Sequence, residues 1–119
     1  MFISDLKHCQ EFIAGDDTLL RELLHPDKQP LSIRYSLAYA VSKPGQASFK
    51  HRLSASEVYY ILQGEGEMFI DDESAKVGPG MAVYIPPGSV QHLKNIGDSD
   101  LIFLCIVDPA WKAENETIL

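Results

Sequence analysis

The sequence predicts an all-β fold, and two observations favour that class. Turn-forming residues, mainly Gly, Pro, Asn and Asp, recur at short and nearly regular intervals along the 119 residues. The segments between these turns are rich in β-branched, aromatic and aliphatic residues, as strands are. Strands spaced roughly 8–12 residues apart are typical of a sandwich or a barrel. We therefore expect one all-β domain over residues 1–119.

The first candidate element, residues 16–25, supports two interpretations. As a helix it would begin at a capping Asp16 and carry a stripe of leucines, and intrinsic propensity favours this form. As a strand it would place on one face the residues Thr18, Leu20, Glu22 and Leu24. We expect the strand, because a short helix would leave a sheet edge uncovered.

Six further segments have the composition of strands. Residues 32–41 carry the period of a half-buried strand, with one parity formed by Ile33, Tyr35, Leu37, Tyr39 and Val41. The others are residues 57–62, 67–70, 82–85, 90–93 and 101–107. We expect two antiparallel sheets with a core that includes Ile33, Leu37, Val58, Ile61, Val83, Ile85 and Phe103. The tail is expected to pack only through Trp111 and Ile118.

Charge and hydropathy exclude several classes of partner. The net charge is −7, which repels phosphate backbones and anionic lipid, so we expect no nucleic acid and no membrane partner. The longest apolar run, residues 101–107, is far shorter than the ~20 residues of a membrane span, and residues 1–11 fit no signal peptide. Cys9 and Cys105 form no disulfide framework, so the expected compartment is the reducing cytoplasm, and Cys105 should be buried.

Two stretches of the chain carry a resemblance to a known family. Residues 45–64 contain the landmarks Gly45, His51, Glu57 and Gly64, and residues 80–95 contain Gly80, Pro86, Gly88 and Asn95. In this spacing they resemble the two motifs of the cupin superfamily, and the strand pattern extends the likeness to about residues 18–108. The resemblance implies a double-stranded β-helix, or jelly roll, with a metal site inside the barrel. It also implies a homodimer, for which we expect an apolar contact through the N-terminal strands.

The implied cofactor is a divalent transition metal (Fe, Mn, Ni or Zn), and here the sequence departs from the family. Cupin ligands are two histidines and the glutamate of the first motif and the histidine of the second. His51 and Glu57 occupy two of these positions, but Leu53 stands at the second histidine and Gln91 at the last, with His92 one residue later. The implied ligands are therefore His51, Glu57 and Gln91, in a site weakened by the loss of two imidazoles.

The direction of His92 leaves an alternative ligand set open. In a regular strand His92 points away from Gln91 and outward, whereas a bulge at residues 89–90 would turn it inward. Ectoine synthases, themselves cupins, are understood to hold iron with the motif glutamate, a tyrosine and a histidine eight residues after that tyrosine. Glu57, Tyr84 and His92 are similar in spacing.

Two functions are consistent with these residues. The first is a metal-dependent enzyme in which Glu57 and Tyr59 move protons, with isomerase or lyase chemistry favoured because dioxygen chemistry needs several strong protein ligands. The second is a non-catalytic protein that binds a sugar or a carboxylate. The pocket that serves either function is expected to be lined by Phe49, Leu53, Tyr59, Tyr84 and Gln91. Both functions have a small molecule as partner, and the fold alone does not decide between them.

Overall fold

Eleven β-strands make up nearly all the regular structure of the computed structural model, which describes residues 1–119. In chain order they are β1 (Glu11–Ile13), β2 (Leu19–Leu24), β3 (Ser36–Ser42), β4 (His51–Leu53), β5 (Ser56–Gln63), β6 (Gly66–Ile70), β7 (Glu73–Val77), β8 (Ala82–Ile85), β9 (Gln91–Asn95), β10 (Leu101–Asp108) and β11 (Glu116–Ile118). Two single turns of 3-10 helix lie at Leu6–His8 and Ala113–Asn115. No helix has the length and apolar character needed to cross a membrane.

The strands form two antiparallel sheets. The six-stranded sheet has the order β1-β2-β3-β10-β5-β8, and the five-stranded sheet has the order β11-β4-β9-β6-β7. Neighbouring strands are distant in sequence in both sheets, since β10 lies between β3 and β5 and β9 lies between β4 and β6. The expected all-β double-stranded β-helix is thereby confirmed.

The core lies between the sheets because alternate side chains of each strand point inward. In β10 the buried residues are Leu101, Phe103, Cys105 and Val107, and the residues between them are only half-buried. Ile61 from β5 and Ile85 from β8 complete this layer. Of the expected core positions, Ile61, Ile85 and Phe103 are buried, Val83 packs at the edge of the core, and the expected burial of Cys105 is confirmed.

The strand β3 presents the opposite face to the one expected, so the prediction for Leu37 was wrong. Its inward residues are small, Ser36, Ala38, Ala40 and Ser42, and its large residues lie on the outer face. Phe103 is the neighbour of Ala40 on the adjacent strand and packs against Tyr59, so these bulky rings fill the inner space beside the small residues of β3. Val58 is also on the outer face, paired with Ile106, and Ile33 precedes the strand.

The two ends of the chain add strands that position the site. Residues 19–24 form β2, so the strand interpretation of this segment is confirmed. The tail does more than pack through Trp111 and Ile118, which corrects the expectation for it. Its residues 116–118 form β11 and pair with β4, with Ile118 opposite His51. This pairing covers the edge of a three-residue strand with backbone hydrogen bonds that need no particular side chain.

Candidate functional site

A cavity of about 240 Å³ lies inside the jelly roll. Side chains from β2, β3, β5 and β10 form its floor, and the loop after β1 together with β11 forms its other walls. Most of the lining is apolar, with Leu20, Phe103 and Trp111 as its larger members. The polar lining consists mainly of Asp16, Glu22, His51, Glu57, Tyr59 and Glu116. A mostly apolar cavity with a few convergent polar groups is typical of a small-molecule site.

The imidazole of His51 is held in one orientation. Its Nδ1 lies 2.8 Å from the carbonyl oxygen of Phe49, which can only accept a hydrogen bond, so Nδ1 carries a proton. In the neutral ring the lone pair is therefore on Nε2. The carboxylate of Asp16 lies 3.6 Å from Nε2, which is too far for a hydrogen bond but close enough to attract the ring once Nε2 also carries a proton. His51 is 2% exposed, and its ring lines the cavity.

Glu57, Gln91 and Tyr59 form a buried chain of hydrogen bonds. The Gln91 Nε2 donates to Glu57 Oε1 over 3.0 Å, and the Tyr59 hydroxyl donates to Gln91 Oε1 over 3.1 Å. Strand register brings these side chains together, because Gln91 of β9 lies opposite His51 of β4 and faces Glu57 across the barrel. Both ends of the Gln91 amide are used, and Glu57, which accepts one of these bonds, also lines the cavity.

Burial raises the pKa values of the acidic side chains in and beside this chain of hydrogen bonds. Desolvation raises the pKa of Glu57 from 4.5 to about 8; the hydrogen bond from Gln91 opposes this shift, and the charges of Asp16 and Glu116 add to it. Glu57 is therefore a neutral acid at pH 7. Burial, reinforced by the nearby Glu57, also raises the pKa of the Tyr59 hydroxyl and the Cys105 thiol well above their usual ranges.

The residues present do not fit a resident transition metal. His51, Glu57 and Gln91 do come together, but the Gln91 oxygen accepts from Tyr59 and its nitrogen donates to Glu57, so this neutral amide has no free donor for a metal. Leu53 packs against Ala55 and Val107 in a separate apolar cluster. No group of three His, Cys, Asp or Glu side chains is placed to hold a metal ion. A transition-metal site needs several strong donors that point at one position, and of the motif positions only His51 and Glu57 supply such groups here.

Several residues expected at the site lie outside it. His92 points outward and stacks on Phe69, with ring centroids 4.3 Å apart, because β9 pairs with β6 without a bulge. Burial and the charge of Lys50 lower the pKa of His92. Tyr84 is 61% exposed and Phe49 is 51% exposed. The alternative ligand set of Glu57, Tyr84 and His92 is therefore not assembled. Of the residues expected to line the pocket, Tyr59 does so, and the following do not: Phe49, Leu53, Tyr84 and Gln91.

The sequence did not point to the acidic residues that complete the cavity. Asp16 is buried in the loop before β2, where its side chain accepts from the Thr18 backbone N–H. Glu116 accepts from the indole N–H of Trp111, and it lies so close to Gly15 that a Cβ there would stand 2.8 Å from its Oε1. A loop and a tail carry no periodic pattern, so only tertiary pairing brings these carboxylates to the cavity. For Glu22 a signal existed, since it shares the inward parity of β2 with Leu20.

Comparison with known proteins identifies the family of this arrangement. A family model described as a cupin domain matches residues 38–107. An uncharacterized protein of Methanocaldococcus jannaschii is 37% identical over 109 residues, which cover 91% of this chain and 86% of that protein. A glucose-6-phosphate isomerase of Pyrococcus furiosus is 27% identical over 88% of this chain, and the match spans only 63% of the isomerase. Among solved structures, a Streptomyces nucleoside dehydratase, Pac13, superposes with a TM-score of 0.79 at 15% identity over 100% of this chain and 91% of its own.

Proposed function

The chain belongs to the cupin domain family, and from this premise we propose that it is an isomerase or lyase that moves protons to and from a small organic molecule with Glu57 and His51. One observation carries the proposal: two buried proton-transfer groups line one small cavity, and each is oriented by its own hydrogen bond. Relatives and structural neighbours named as an isomerase and a dehydratase support it. The free state of both cysteines supports a cytoplasmic location.

Each group in the cavity has a distinct part in the proposed reaction. His51 Nε2 accepts a proton from a carbon or hydroxyl of the substrate, and the Asp16 carboxylate stabilises the imidazolium that forms. Glu57 donates its proton to a second substrate atom, a carbonyl oxygen in an isomerase or a leaving hydroxyl in a lyase. The Tyr59 hydroxyl donates its hydrogen bond to Gln91 and not to a ligand in the cavity. Tyr59 therefore acts through Gln91 as a positioning residue for Glu57. All these transfers use side chains alone.

A second candidate is a protein that binds a sugar without reaction. Leu53 in place of a ligand histidine and the mostly apolar lining of the cavity favour this alternative. A binding protein needs the shape of the cavity but not the proton of Glu57. Replacement of Glu57 by the isosteric glutamine therefore separates the two functions.

Hydrogen exchange with deuterated water tests the proposal without knowledge of the natural substrate. We incubate the protein in D2O and EDTA with small hydroxycarbonyl compounds (dihydroxyacetone, glyceraldehyde, erythrulose and xylulose) and with their phosphate esters, and follow deuterium incorporation by NMR. The expected result is exchange into at least one compound, lowered roughly 100-fold in Glu57→Gln and unchanged in Glu65→Gln, an exposed control. No exchange by the parent, or equal exchange by Glu57→Gln, overturns the proposal.

A further inference from the structure

The cavity lining is rich in carboxyl groups and lacks permanent positive charge. Four of its side chains are carboxyls, namely Asp16, Glu22, Glu57 and Glu116, and one is the imidazole of His51. None is a lysine or an arginine. Lys28 pairs with Glu22 at 2.6 Å, but its own side chain is 63% exposed and it does not line the cavity. The fixed charge that a ligand meets inside is therefore negative.

The environment of the individual carboxylates strengthens this field. The partner of Glu116 is the indole N–H of Trp111, which carries no formal charge. Asp16 is 8% exposed, and its carboxylate accepts from the backbone N–H of Thr18 and lies near the His51 ring. Charges in such a low-dielectric interior interact more strongly than charges in water. An anionic group placed here would be repelled by Asp16 and Glu116 and would find no countercharge except on His51.

The hydrogen-bonding character of the lining points in the same direction. Ionised carboxylates accept hydrogen bonds and cannot donate them. A bound phosphate needs donors, which proteins supply with arginine, lysine or the backbone N–H groups of a helix N-terminus. The only helices here are two 3-10 turns of three residues, Leu6–His8 and Ala113–Asn115. A ligand whose hydroxyl groups donate to the carboxylates matches this surface.

The size of the cavity limits the ligand further. Its volume of about 240 Å³ lies below the range of ~300–1,000 Å³ that is usual for drug-sized ligands. We infer that the substrate is a small uncharged sugar or polyol that carries neither a phosphate nor a carboxylate group. This inference rests on the proposed function, because it concerns the same cavity. It also distinguishes this chain from the relatives whose name specifies a phosphorylated sugar.

Paired probes that differ only in charge test the inference. Saturation-transfer NMR is recorded with ribose against ribose 5-phosphate and with glyceraldehyde against glyceraldehyde 3-phosphate. We expect the uncharged member of at least one pair to bind at least tenfold more tightly than its phosphate. The bound signal disappears in Ala38→Phe, which fills the cavity, and persists in Leu37→Phe on the outer face of the same strand.

A charge variant keeps the test decisive if the cavity-filling variant does not fold. Asp16→Asn combined with Glu116→Gln retains the side-chain volumes. It should reduce the tenfold preference for the uncharged probe, because it removes the two carboxylates that no lysine or arginine neutralises. Equal or tighter binding of a phosphate in the cavity overturns the inference, and so does the absence of binding by every uncharged probe. Binding of uncharged sugars without deuterium exchange contradicts the proposed function and leaves this inference standing. Deuterium exchange into a phosphorylated sugar contradicts this inference and leaves the proposed function standing.

Discussion

Gln91 determines how the buried polar side chains around it are arranged. Its amide donates to Glu57 at one end and accepts from Tyr59 at the other, so neither neighbour is left unpaired inside the barrel. An imidazole has one donor and one acceptor in a fixed ring and cannot reproduce this bridge with its metal-binding nitrogen free. The amide at this position thus occupies with hydrogen bonds the place where the cupin motif has a metal-binding imidazole, while burial, not the amide, raises the pKa of Glu57.

Restoring the missing imidazoles should create a metal site. Gln91 lies opposite His51, and Leu53 is two residues further along the same strand face, so Leu53→His with Gln91→His would place three imidazoles near Glu57. We expect this double variant to bind Zn(II) at least roughly tenfold more tightly than the parent, about 1.4 kcal/mol. Adding His51→Ala to the double variant should weaken Zn(II) binding again, because it removes one of the three imidazoles. Titration calorimetry on metal-stripped protein measures the effect, and no gain in the double variant would contradict it.

The raised pKa of Glu57 predicts a specific dependence of stability on pH. The folded-state pKa of about 8 lies above the ordinary value of 4.5, so the favourable contribution of the protonated carboxyl is complete below pH 4.5 and is lost as the pH rises through about 8. The titratable groups that face Glu57 are Asp16 from the loop before β2, His51 from β4, Tyr59 from β5, Cys105 from β10 and Glu116 from β11.

The comparison with Glu57→Gln isolates this contribution. The variant cannot ionise, so its free energy of unfolding should rise relative to that of the parent by several kcal/mol between pH 5 and pH 9. Urea unfolding of both proteins across this range measures the difference. Parallel pH profiles for the two proteins would mean that Glu57 ionises normally in the folded state.

At the scale of the elements, the short strand β11 connects the tail to the site. It pairs with β4 and holds Glu116 against the cavity, opposite Leu53. In an antiparallel ladder every second residue pair is joined by backbone hydrogen bonds. The N–H of Leu119 donates to Lys50, and the N–H of Ser54 donates to Asn115. The pair midway between them, Thr117 and Arg52, is therefore also a hydrogen-bonded pair. Closure of this side of the cavity therefore depends on three residues of backbone pairing.

A proline in β11 should open this side of the barrel. Thr117→Pro removes a donor of the ladder, and we expect the free energy of unfolding to fall by roughly 1–3 kcal/mol. Thr117→Ala keeps the backbone donor and is the matched control. Amide hydrogen exchange should show faster exchange in β4 for the proline variant only. Unchanged protection of β4 would show that β11 does not hold this edge.

The elements with the composition of strands were predictable, and the polar or very short ones were not. The segments of β5, β8 and β10 follow from short apolar, β-branched and aromatic runs between turn residues, and the motif spacing identified His51 and Glu57. The mostly polar β7 carries no such signal. β1, β4 and β11 have three residues each, too few to display a period of two. In β3 both faces are apolar, so alternation alone did not determine which parity points inward. Asp16 and Glu116 reach the site only through tertiary pairing of the chain ends.

On the scale of the whole molecule, the outer face of the six-stranded sheet is apolar. One row across it contains Ile13, Leu19, Val41 and Ile102, and the next contains Tyr39, Leu104 and Tyr60. Ile13 is 68% exposed and Tyr60 is 41% exposed. Extended apolar surface of this kind is typical of a contact between proteins. The first row begins at β1, the edge strand of the sheet, whereas the second continues beyond Tyr39 into the ion pair of Arg21 and Glu11.

We expect this face to form the homodimer contact, with the N-terminal strands included. Sedimentation at micromolar concentration should show a species of twice the 13.3 kDa chain mass. Ile13→Glu places a charge in the contact and should weaken the dimer at least roughly tenfold, whereas Lys94→Glu, exposed on the other sheet, should not. A parent protein that sediments as a 13.3 kDa monomer would contradict this expectation.

The protonation state of Glu57 in the folded protein tests most directly the claim that the cavity is an acid–base site. Carbon-13 NMR of protein labelled at the glutamate carboxyls follows each titration, and the signal missing from Glu57→Gln assigns this residue. Burial of Glu57 inside the barrel predicts one carboxyl that remains protonated at pH 7 and titrates with a pKa of about 8, in spite of the hydrogen bond from Gln91. A Glu57 signal that titrates near 4.5 would contradict it, because the cavity would then hold no acid at neutral pH.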